Sequence, residues 1–151
     1  MSLKDQLQAD LVVAMKAHDA LTVSTIRMVR SAISNAEVAG ASAITLSEAQ
    51  VIDVLRAEAK KRAESAEIYE QNGRPESAAK ERAEGEVIAR YLPAAMSDSD
   101  LSAIVAEEVA TAAAAGQTGP KAMGAVIKAV RDRAGAAADG GRISAAVKAA
   151  L

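Results

Sequence analysis

Apolar residues return every three or four positions along most of this chain, a spacing that predicts helices from end to end. Leu3, Leu7, Leu11 and Met15 form a first stripe that closes near His18 and Asp19. A second helix reads from about Thr22 to Val38, with Val23, Ile26, Val29 and Ile33 on one side. Gly40 lies just beyond it, where a glycine relieves the last turn. Ser47, with Gln50 three residues on, spells a capping box, and Ile52, Leu55 and Ala59 follow as the early stripe of a third helix. Charged helix formers then take over, with Glu58 and Arg62 one turn apart. "NGRPE" interrupts them: Gly73 tolerates positive φ, and Pro75 suits a first helical turn. The fourth helix runs to about Tyr91, so residues 47–91 read as a long antiparallel hairpin.

Pro93 disfavours helix at Leu92, and Ser97 with Asp100 three residues later opens a fifth helix over roughly 98–115, ending at Gly116. "GQTGP" turns into a sixth, about 120–134, and "GAAADGG" leads to a short last helix from Ile143 or Ser144 to Leu151. The expected fold is therefore all-α: an N-terminal helical domain, residues 1–92, and a small C-terminal three-helix domain, residues 97–151. Composition agrees. Alanine supplies much of the hydrophobic content, and Tyr69 and Tyr91 are the only aromatic residues, so strand formers are scarce and cores must be thin.

A formal net charge of −2 exerts no global pull on nucleic acid or membrane. Its distribution changes that picture. From Lys121 onward six basic residues (Lys121, Lys128, Arg131, Arg133, Arg142, Lys148) face two acidic ones (Asp132, Asp139), a local excess of four positive charges. There is no cysteine, hence no disulfide and no thiolate metal site or nucleophile. The N-terminal segment lacks the apolar core of a signal peptide and no apolar run approaches ~18 residues, which implies a soluble cytoplasmic protein without a membrane partner.

Candidate chemistry concentrates in "GPKAMGAVIKAV", residues 119–130. Its G-x-x-x-x-G spacing resembles a nucleotide loop, but Ala125 and Val126 stand where lysine and a hydroxyl residue are needed, and no strand precedes it. As a helix it places Met123, Val126, Ile127 and Val130 on one face, and Lys121, Lys128 and Arg131 on the other with Gly124 among them. A mid-helix glycine costs about 1 kcal/mol relative to alanine. Three reasons could retain it: close approach by a phosphodiester backbone, close packing of another helix, or mere tolerance on a solvated face.

Elsewhere the chemistry is sparse. Lys60, Lys61 and Arg62 are interleaved with Glu58, Glu64, Glu67 and Glu70, the pattern of an exposed helix laced with ion pairs. His18, the single histidine, fits a helix C-terminus better than catalysis. The pairs Glu81/Glu84 and Glu84/Glu86 lack the histidine of a helical di-metal site, so neither a metal nor another cofactor is implied. Two tyrosines cannot build a base-stacking platform, so any RNA would be held by shape and backbone.

Several blocks, in order, resemble the YqeY-like family, which is related to the C-terminal tail of the GatB subunit of glutamine-dependent tRNA amidotransferase. They are "TIRMVRSAISNAEV", "AKKRAESAEIYEQNGRPESAAKERAEGEVIARYLP", "GPKAMGAVIKAV" and "ADGGRISAAVKAAL". The resemblance implies a tail-like second domain that binds tRNA, as an accessory to an amidotransferase or another tRNA enzyme. It implies tRNA contacts from Lys121, Gly124, Lys128, Arg131 and Lys148, with Asp139, Gly140 and Ser144 at the same surface and Met123 and Val147 in the core. Ala137 and Gly141 stand where basic residues are expected, so that turn carries less charge here. No catalytic residue is spelled out; a carbon–nitrogen ligase label with glutamine as amide donor would follow from homology to the tail. The alternative is a helical protein-interaction module that does not bind RNA.

Overall fold

In a computed structural model, which describes residues 1–151, the chain is all-α, with no strand. It divides into two compact units, Met1–Leu92 and Pro93–Leu151.

The first unit contains α1 (Leu3–Lys16), α2 (Ala20–Val38), α3 (Glu48–Gln71) and α4 (Pro75–Ala89). Its core joins Leu7 and Leu11 to Ile26, Val29 and Ile33, then to Val51 and Leu55, and closes on Val87, Ile88 and Tyr91. Each such fully buried side chain contributes roughly 1.5–3 kcal/mol. The first stripe differs from expectation in its last member: Ala14 is buried and Met15 is 49% exposed. Steps of four overshoot a period of 3.6, so a stripe at i, i+4, i+8 drifts off the core and the next buried position falls one residue early. In α3 the stripe also starts elsewhere than expected: Val51 is buried one turn before Leu55, and Ile52 is only partly so.

His18 does close α1, by its backbone. At φ 55° it is the one non-glycine residue in the left-handed region. Its N–H donates to Met15 O at 3.2 Å, and the Asp19 N–H donates to Ala14 O at 3.0 Å, the paired bonds of a Schellman turn. Asp19 then caps α2, accepting from the Thr22 N–H and hydroxyl at 3.1 and 2.7 Å. Both halves of the Ser47/Gln50 capping box form at the head of α3.

Gly73, at φ 71°, ends α3, and α4 returns along it. Toward the turn this pair meets through the small side chains of Ala66 and Ala78, with Arg82 bonded to Glu70. Midway, Arg62 is not the exposed residue its charged surroundings suggest: it is only 7% exposed, beside the buried Glu84 of α4.

The second unit contains α5 (Asp98–Ala114), a 3-10 turn (Gly119–Ala122), α6 (Met123–Ala134), a second 3-10 turn (Gly135–Ala137) and α7 (Gly140–Ala150). Leu101, Val105, Ala122, Val126, Val130, Ile143 and Val147 fill its core. The unit begins at Pro93, four residues ahead of the boundary read from the sequence, because Met96 is tied into it. The Met96 N–H donates to Ala137 O at 2.7 Å, and Arg142 donates to Met96 O at 2.8 Å. α7 starts earlier than its apolar pattern suggests: Asp139 accepts from the Arg142 N–H at 2.8 Å and carries Gly140 and Gly141 into the first turn.

Candidate nucleic-acid interface

Two flanks orient α6 within the second unit. On one, Arg133 reaches α5, meeting Glu107 at 2.7 Å and Glu108 at 3.0 Å. Those hydrogen bonds hold its guanidinium above the ordinary arginine range, Glu107 contributing most. On the other, Arg131 lies against the first turn of α7: a Cβ built on Gly140 would stand 3.6 Å from its guanidinium.

Between these flanks the outward face of α6 carries Gly124 and Lys128, with Lys121 on the preceding 3-10 turn; all three are exposed, as is Arg131. Lys128 has one neighbour of opposite charge, Asp132 at 3.8 Å, and is 82% exposed. An exposed pair at that distance contributes little and exchanges readily with solvent or another anion. Lys121, Arg131 and Lys148 pair with no carboxylate of the chain. Gly124 has nothing within 4 Å of where a Cβ would stand, so close packing of a helix of this unit is not the reason for it. Lys148 is exposed near the end of α7, on the face that Gly140 and Ser144 begin.

The six basic residues counted in the sequence thus fall into two groups. Arg133 and Arg142 are consumed inside the unit, the latter by Met96 O and Asp98, each at 2.8 Å. The other four point outward. Nothing in the spacing announces that partition, because the partners lie 25 and 44 residues away in sequence. Met123 is half-buried and Val147 buried, both packed in the core.

The remaining polar clusters are structural. Glu84 turns inward to Arg62 while Glu86 faces solvent, so that acidic pair of α4 does not converge. No three His, Asp or Glu residues gather in metal-binding geometry. No helix is long and apolar enough to cross a membrane.

Among curated proteins, none matches the chain significantly. The family model described as Yqey-like protein matches residues 4–151, nearly the whole length. The chain belongs to the YqeY-like family.

Proposed function

We propose that the second unit is an RNA-backbone-binding module whose ligand is tRNA, and that the protein serves as an accessory to amidotransferase-type (carbon–nitrogen ligase) or other tRNA chemistry without supplying the reacting groups. One observation carries this reading: Lys121, Lys128 and Arg131 form an exposed cationic face around a glycine that nothing in the unit covers. Phosphates are spaced along a rigid, highly charged rod, so a helix face with cations one turn apart and a bare patch between them can approach that rod closely. Lys148 extends the same charge along α7. With no aromatic residue in this unit, contact rests on shape and charge and not on stacked bases.

tRNA binding by the full chain across a salt series tests this, beside the variant Lys121→Glu, Lys128→Glu, Arg131→Glu. Each phosphate no longer neutralised should reduce the slope of log K against log salt by roughly 0.7–0.9. The variant should therefore bind more weakly and with a slope shallower by roughly 2–3. Undetectable binding by the native chain at low salt overturns the proposal.

A second reading, a helix-docking module for a protein partner, draws on a different feature. The groove between α5 and α6 is lined by Ala112, Ala115, Ala125 and Ala129, which would admit a close-packed helix. It predicts a partner that stays bound after nuclease treatment.

A further inference from the structure

Arg62 carries a five-donor guanidinium into the first unit, with its side chain only 9% exposed. Nη1 is well engaged, donating to Glu58 O at 3.1 Å and to Glu58 Oε2 at 2.7 Å. Nε has no acceptor, since the Glu84 carboxylate stands 3.5 Å away without bonding it. Nη2 donates at 3.5 Å to the thioether sulfur of Met28 on α2, and a thioether is a weak acceptor. A buried guanidinium is therefore short of oxygen acceptors on the side that faces α2. Met28 is itself 39% exposed, so the side chain that meets this buried cation also reaches solvent.

We propose that Met28 is an oxidation site for hydroperoxides, whose sulfoxide product is held by Arg62. A sulfur lone pair attacks one peroxide oxygen, the S–O bond forms and the O–O bond breaks. Sulfur gives up two electrons, and the other oxygen takes the transferred proton and leaves as water or an alcohol. The sulfoxide oxygen is a strong acceptor where the thioether was a weak one. Set off the line between nitrogen and sulfur, it can stand about 2.9 Å from Nη2 with the sulfur near its present place. Methionine oxidation ordinarily loosens a protein, because an apolar side chain becomes polar. Here it satisfies a donor that burial leaves short, and ties α2 to α3. Met15 is the contrast within the same unit. Its sulfur lies 4.0 Å from Arg27 Nη2, but Arg27 is exposed and water already meets its donors, so a sulfoxide there adds nothing. The inference is independent of the RNA reading, which rests on the other unit.

The test treats the full chain with hydrogen peroxide, maps the oxidised methionines by peptide mass, and follows urea unfolding by tyrosine fluorescence. Tyr69 and Tyr91 both lie in the first unit, so the signal reads that unit alone. Oxidation of the native chain should raise the urea midpoint by roughly 0.3–1 M. Met15→Leu should keep that rise and Met28→Leu should abolish it. Met28→Gln, which places an amide oxygen at similar reach, should match or exceed the untreated native midpoint without peroxide. The Arg62 guanidinium proton signals should move in the NMR spectrum of the oxidised chain. Met28 left reduced where Met15 is oxidised, a midpoint unchanged or lowered by oxidation, a rise that persists in Met28→Leu, or unmoved Arg62 signals overturns the proposal.

Discussion

Arg62 brings a positive charge into the first unit at a side-chain exposure of 9%, beside Glu84 at 8%. Desolvating two ions costs several kcal/mol each, so the site must be compensated locally. Glu58 supplies most of this, accepting from Arg62 at 2.7 Å and from Lys61 at 3.0 Å. Burial pushes the Glu58 carboxyl up, but those bonds outweigh it and its pKa ends below the ordinary glutamate value. A depressed carboxylate contributes stability above its unfolded pKa that is lost as pH falls through its folded one, so acid should loosen this network. Arg62 Nε remains without a hydrogen bond, 3.5 Å from Glu84. Arg62→Ala strands Glu84 and should cost roughly 3–5 kcal/mol in urea unfolding, whereas Arg62→Met with Glu84→Leu recovers most of it. A cost for Arg62→Ala within about 1 kcal/mol, the scale of an exposed pair, would refute the assignment. Tyr91 behaves oppositely with pH. Burial and its 2.6 Å bond to Asp10 push the phenol pKa up, so the folded state holds this proton more tightly. That stability is present below the unfolded pKa of about 10 and drains as pH rises above it. Tyr91→Phe should cost about 1–2 kcal/mol at neutral pH and flatten the alkaline loss measured by urea midpoints.

Helix α6 offers a test of whether an element gives up stability for a surface. Gly124, expected mid-helix from the sequence, is the second residue of α6, exposed in its first turn after the 3-10 turn, with nothing near its missing Cβ. Gly124→Ala should therefore stabilise the second unit, by at most the helix-interior value of about 1 kcal/mol, in thermal or urea melts. If a nucleic-acid backbone approaches here, the same methyl weakens tRNA binding, so stability and affinity move in opposite directions. A variant stabilised with unchanged affinity would mark the glycine as incidental. The face itself was legible, because an apolar stripe at 3.6-residue spacing dictates what points away from it. The start of α7 was not: two consecutive glycines read as a break, and only the Asp139 cap together with Arg142 anchoring to Met96 carries the helix back to Gly140. Arg62 and Arg133 were also opaque for one reason. The burial of an arginine depends on what another helix brings to it, here Glu84 and the Glu107/Glu108 pair.

At the scale of the molecule, each unit closes its own hydrophobic core, and the second does so mainly with valine and alanine. At 59 residues, the difference between the chain of 151 and the first unit of 92, it is in the size range where folding stability is slender. Its outward cations depend on that slender core, since Lys121, Lys128 and Arg131 are arrayed only while Val126 and Val130 pack. Ile143→Ala, at a position with 0% exposure, should cost roughly 2–5 kcal/mol, enough to unfold much of such a unit. Hydrogen exchange should then show α5, α6 and α7 unprotected while Ile26, Val29 and Leu55 keep their protection. tRNA binding should fall with it, although every basic residue remains. Retained binding would mean that an unordered basic segment suffices and that the face of α6 is not the recognition element. Loss of protection in both units together would show that they fold as one cooperative block, and a core defect in either would then silence the surface of the other.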